Sequence, residues 1–78
     1  MDSLEGSSVY NVIEVVGTSV IGWEEAIKNA VETASKQLTN LRISQIVELD
    51  ATLSEGNIME YRARVKLSFK HETEPETL

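Results

Sequence analysis

A chain of 78 residues has room for one domain, and a domain that short buries only roughly 60% of the surface its unfolded chain exposes. It contains no cysteine, which excludes disulfides and thiolate-held zinc or iron–sulfur sites and leaves oligomerisation as the remedy for a thin core. Thirteen acidic against seven basic residues give a formal net charge of -6, the wrong sign for a surface that must neutralise nucleic-acid phosphates. Apolar runs are broken by Asn11, Glu14, Glu24 and Glu25, so none reaches the ~20 residues of a membrane span. Residues 1–8 carry acids and serines where a cleavable signal has a basic start and an apolar run. A cytoplasmic protein is expected, with neither nucleic acid nor membrane as partner, although the absence of cysteine is also compatible with export.

Residues 1–8, rich in Gly and Ser, and residues 71–78, with three glutamates and the only proline, read as disordered tails around a folded domain at 9–70. Residues 9–16 are almost wholly β-branched or aromatic. Tyr10, Val12 and Val16 lie on one side of a strand, with Ile13 and Val15 on the other. Apolar residues on both sides imply a strand covered twice, by a helix and by a neighbouring subunit. Gly17, Thr18 and Ser19 are expected to end it.

Trp23, Ala26, Ile27, Ala30, Val31, Ala34 and Leu38 recur at spacings of three and four, which predicts an amphipathic helix over 23–38. Gly22 is placed at its N-cap, Glu24 and Glu25 in the first turn and Lys36 in the last, the charges matched to the helix dipole. The alanines keep the stripe shallow, which suits close packing on a sheet.

From Leu41 the period becomes two. Val47, Leu49, Ala51 and Leu53 share one face, with Glu48, Asp50 and Thr52 on the other. Met59, Tyr61, Ala63, Val65, Leu67 and Phe69 alternate with Glu60, Arg62, Arg64, Lys66 and Ser68. A three-residue loop Glu55-Gly56-Asn57 would set Ser54 against Ile58, Leu53 against Met59, Ala51 against Tyr61, Leu49 against Ala63 and Val47 against Val65. The same register sets Asp50 against Arg62 and Glu48 against Arg64, and a slip by one would oppose apolar to charged positions throughout. The expected fold class is α+β, in the order β-α-β-β, with an antiparallel three-stranded sheet wrapped on one helix. The charged face away from that helix is either water-facing or part of a subunit interface.

This order, with Val16-Gly17-Thr18-Ser19, Gly22-Trp23-Glu24-Glu25-Ala26, and Tyr61 with Val65 and Phe69, resembles the dodecins, small proteins that assemble into hollow spherical dodecamers. The resemblance runs from about Val9 to Phe69. It implies a homo-oligomeric, non-enzymatic binding and storage protein, with a ligand pocket at positions matching Ile43, Gln45 and Arg62. Flavin-binding members carry a stacking tryptophan where Ile43 stands and a glutamine where Arg62 stands. Isoleucine has no flat π-face, and arginine adds charge and length in place of the amide. Flavin is therefore not the expected cofactor. Gly22-Trp23-Glu24, Leu41-Arg42-Ile43 and Tyr61-Arg62 look closer to the calcium dodecins, which points to calcium. Glu48, Asp50 and Glu60 are its candidate ligands, shared between subunits because no segment has the EF-hand pattern. A flavin-storage dodecin (FMN, riboflavin or lumichrome) and a structural shell with no specific ligand stand as the alternatives.

Several residues invite a sharper reading than they support. Trp23 on the apolar stripe reads as core or interface rather than as a stacking platform. His71, the one histidine, has no Ser or Cys nucleophile at a recognisable spacing. Arg62, Arg64 and Lys66 could receive the phosphate of coenzyme A or a nucleotide, but cross-strand pairing with Asp50 and Glu48 is the plainer account. Gly17-Thr18-Ser19 lacks the lysine and glycine spacing of a phosphate loop, and Glu24 and Glu25 suit a helix start better than catalysis.

Overall fold

The structure, a computed structural model, describes residues 9–70; the two tails expected at 1–8 and 71–78, and His71 with them, lie outside the described residues. Four elements follow in the expected order: β1 (Tyr10–Ser19), α1 (Trp23–Ser35), β2 (Leu41–Ser54) and β3 (Asn57–Lys70). The strands form one sheet in the order β1-β3-β2, with β3 antiparallel to both neighbours. β1 and β2 therefore run parallel with β3 between them, and α1 makes the crossover. β3 takes the centre because it has the cleanest alternation, with one face wholly apolar and the other wholly polar from Glu60 to Ser68.

The core lies between α1 and β3. Ala26 and Ala30 of α1 are buried against Ala63, Val65 and Leu67 of β3, with Ile13, Val15, Ile27, Val31, Ala34 and Leu41 packed around them. Val65 and Leu67 are the largest fully buried side chains, each stabilising by about 1.5–3 kcal/mol. Gly17 lets the helix settle this close. A Cβ there would collide with the Ala26 carbonyl oxygen and come within 2.8 Å of the Ala30 Cβ.

Gly17, Thr18 and Ser19 do not end β1, as expected from their composition, but continue it, paired with Ala63, Arg62 and Tyr61. The chain turns only afterwards, where the Ser19 hydroxyl accepts the Ile21 N–H at 2.9 Å. Gly22 is the N-cap, with no side-chain cap, and Glu24 and Glu25 occupy the first turn. The helix is shorter than its apolar stripe. It ends at Ser35, so Lys36 is the C-cap and no basic residue stands in the last turn. Past that point the Lys36 and Gln37 N–H groups bond back three residues, to Thr33 and Ala34, a tightening usual at helix ends, and Asn40 at φ 64° redirects the chain.

The hairpin register is right at its centre and displaced at both ends. Asp50 faces Arg62, Glu48 faces Arg64, Leu49 faces Ala63 and Ala51 faces Tyr61. The turn, however, has two residues, Glu55 at φ 52° and Gly56 at φ 83°, the positive-φ pair that matches the twist of a hairpin. Asn57 is consequently in β3, opposite Ser54, and Leu53 faces Ile58 rather than Met59. An irregularity between Thr52 and Leu53 absorbs the difference. A second, between Ile46 and Glu48, places Ile46 opposite Val65 where Val47 was expected. These bulges interrupt the strict alternation of β2, and Val47, Leu49 and Leu53 are all exposed.

Candidate functional site

The face of the sheet turned away from α1 is built in rows. Reading across β1, β3 and β2, the rows are Thr18–Arg62–Asp50, Val16–Arg64–Glu48, Glu14–Lys66–Gln45 and Val12–Ser68–Ile43. Positive charge runs down the central strand, with acids on both flanks. Arg62 donates from Nε to Asp50 Oδ1 at 2.7 Å and from Nη2 to Oδ2 at 2.8 Å. Arg64 stands between two strands, 3.4 Å from Glu14 Oε2 on β1 and 3.5 Å from Glu48 Oε1 on β2. The Arg62 hydrogen bonds and charge hold the Asp50 carboxyl below its ordinary value against an opposing desolvation effect, and the same pairing raises Arg62. With side chains 38% exposed on both partners, solvent screens the pair.

Glu14 was not singled out from the sequence as a partner of Arg64, because its neighbour depends on the strand order. It was findable all the same. Glu14 is the only charged residue in β1, and once β3 is placed in the centre the cation for it must come from there.

The positions matching the family pocket, Ile43, Gln45 and Arg62, share this face but do not converge within one chain. Ile43 lies opposite Ser68 and Arg62 opposite Asp50. Six residues of β3 therefore separate the two rows, about 20 Å at the usual rise per residue. Ile43 is exposed and offers no stacking surface, while Arg62 is already committed to Asp50. Neither residue fits a flavin ring.

Glu48, Asp50 and Glu60 also project from this face, in successive rows of the hairpin. Both Asp50 oxygens accept from Arg62, and Glu48 faces Arg64. Among the described residues no three His, Asp or Glu side chains come together as a metal-binding group, whereas calcium takes about six to eight oxygens. The same ion pairs occupy Arg62 and Arg64, and so weigh against a phosphate seat there.

Trp23 is neither core nor free. It is 39% exposed, meets the Tyr61 ring edge to face at 5.0 Å and 76°, and donates from Nε1 to the Asp50 main-chain carbonyl at 2.9 Å. On the other side of the molecule an open groove of about 490 Å³ runs between α1 and the edge of β1, lined by Ile13, Val15, Ala30, Ala34 and Leu38 among others. Among the described residues no helix is long and apolar enough to cross a membrane.

Comparison with known proteins places these features in a family. The dodecin family model matches residues 9–72. The calcium dodecin of Mycobacterium tuberculosis is 35% identical over 63 residues, covering 81% of this chain and 89% of that one. A solved structure of calcium dodecin from the same organism, described as calcium chelating with a novel calcium-binding site, superposes with a TM-score of 0.74 at 32% identity, covering 88% and 96% of the two chains. The dodecin of Streptomyces davaonensis superposes with a TM-score of 0.80 at 33% identity, covering 85% of this chain and 97% of that one.

Proposed function

The chain belongs to the dodecin family, and from that premise we propose that it works as a symmetric, hollow homo-dodecamer that binds and stores a small ligand or ion and catalyses no reaction. The observation that carries this reading is the mismatch between what the chain buries and what it leaves bare. The buried apolar set among the described residues is two alanines of α1 with Ala63, Val65 and Leu67. Against it stand Val12, Val16, Ile43, Val47, Leu49 and Leu53, all exposed, large apolar side chains of the kind that mark a surface for association. Closed symmetry covers such surface with copies of itself.

For the ligand, a hard divalent cation is favoured over a flavin. Calcium binding is named for the M. tuberculosis relative, and Glu48, Asp50 and Glu60 present carboxylates on one face that symmetry would multiply where subunits meet. Flavin is disfavoured by Ile43 and by an arginine already held by Asp50. Native mass spectrometry tests both parts, since it reports the number of chains and any retained non-protein mass. Twelve chains are expected; a monodisperse monomer or dimer at micromolar concentration would overturn the assembly.

A further inference from the structure

Trp23 is the chain's only tryptophan and occupies the first position of α1. Its indole makes two contacts that converge on one ion pair from behind. The Nε1–H holds the Asp50 main-chain carbonyl at 2.9 Å, and the ring packs edge to face on Tyr61. Asp50 turns its carboxylate to the opposite side of the sheet, where it takes both bonds from Arg62. Tyr61 and Arg62 are consecutive in β3 and so point to opposite faces. The indole therefore braces both partners across the sheet, Asp50 through its own carbonyl and Arg62 through the residue beside it.

We infer that Trp23 is a positioning residue for the face opposite α1, fixing the two stretches of backbone from which the Asp50 carboxylate and the Arg62 guanidinium project. Its bearing on ligand binding rests on that face being the ligand side. A partly exposed ion pair ordinarily gains little, because two flexible side chains must be held in one geometry, and a side-on pair with two short parallel bonds demands coplanar alignment as well. β2 is an edge strand, and the Trp23 bond to Asp50 is the side-chain hydrogen bond that ties it to α1 among the described residues. Without that tie the strand can twist at Asp50, and the carboxylate leaves the plane of the guanidinium. Whatever contacts the start of α1 is thereby coupled to the charge arrangement on the far face.

The chain has only two aspartates, Asp2 and Asp50, so aspartate labelled with carbon-13 at the side-chain carboxyl gives two resonances whose chemical shifts can be read by NMR at neutral pH in the full-length assembly. Trp23→Phe keeps an aromatic ring to face Tyr61 and removes the N–H together with the pyrrole part of the indole. The expected result is a changed carboxyl chemical shift for Asp50 as its two bonds from Arg62 lose their alignment, with Asp2 unmoved and the assembly mass unchanged. A role in packing alone would lower stability and leave the Asp50 carboxyl resonance where it was. Should Trp23→Phe fail to assemble, the reverse experiment reads the same coupling: Asp50→Asn, altered on the far face, should shift the emission of Trp23. Neither measurement involves a ligand, so failure of the calcium or flavin reading leaves both outcomes intact. An Asp50 carboxyl resonance unchanged in an intact Trp23→Phe assembly, or a Trp23 emission spectrum unchanged by Asp50→Asn, overturns the inference.

Discussion

Asp50 and Arg62 face each other across the β2–β3 hairpin as a side-on pair, with Nε to Oδ1 at 2.7 Å and Nη2 to Oδ2 at 2.8 Å. Hydrogen bonding and charge from Arg62 lower the Asp50 carboxyl. A lowered folded-state value means that the unfolded chain takes up the proton first as pH falls. The pair's contribution is thus fully present above the ordinary aspartate value and is lost as pH drops through the lowered one. Asp50→Asn should therefore be less stable than the parent at neutral pH, and the difference should close in acid. Denaturation at fixed protein concentration across that range measures it, and a gap independent of pH would show that the charge pair contributes nothing.

Gly17→Ala should destabilise the fold although it changes the chain by one methyl. The added carbon meets the Ala26 carbonyl and the Ala30 side chain, both on the rigid body of α1, so the helix must lift from β1. Overpacking of this kind costs about 1–3 kcal/mol. The midpoint of urea unfolding should fall accordingly, with protein concentration held constant because assembly contributes to the apparent stability.

The elements were legible because periodicity was strong wherever a single face was buried. The alternation of β3 and the three- and four-residue spacing of α1 are direct imprints of the contact between Ala26, Ala30, Ala63, Val65 and Leu67. The Asp50–Arg62 and Glu48–Arg64 pairings were legible because charge and hydrophobicity select the same register. The turn was not, since Glu55 carries no sequence signal for the positive φ it adopts, and compensating bulges preserve the central pairs whichever loop is chosen. The Trp23–Asp50 contact was illegible for another reason. It joins residues from elements whose adjacency follows from the strand order and the placement of the helix, which no local pattern encodes.

The unmodified protein should bind riboflavin weakly or not at all, because the position of Ile43 lacks an aromatic contact worth about 0.5–1.5 kcal/mol beyond buried area. Ile43→Trp with Arg62→Gln supplies the ring and the amide but strips Asp50 of its partner, leaving a bare carboxylate beside the new amide. Adding Asp50→Asn removes that charge. Flavin fluorescence quenching should thus rank the triple variant above the double and the double above the parent. Tight quenching by the parent would refute the assignment of Ile43 and Arg62 as the excluding residues.

Calcium binding, if it draws on Glu48, Asp50 and Glu60, must compete with arginine for the same oxygens. Both Asp50 oxygens are engaged by Arg62, and Glu48 is 3.5 Å from Arg64. A cation that takes the Asp50 carboxylate has to displace a guanidinium, and removing the guanidinium should therefore tighten binding. Arg62→Ala is expected to raise calcium affinity, Asp50→Asn to abolish it, and the two together to match Asp50→Asn alone, because the arginine acts only through that carboxylate. Nonspecific attraction to a chain of net charge -6 predicts something different: Arg62→Ala would strengthen binding slightly, Asp50→Asn would weaken it slightly, and both would fade as salt shortens the screening length to about 8 Å at physiological ionic strength. Isothermal calorimetry of all four proteins at that ionic strength separates the two accounts. Saturable heat that survives in Asp50→Asn would remove Asp50 from the ligand set, and no saturable heat in either the parent or Arg62→Ala would end the calcium reading.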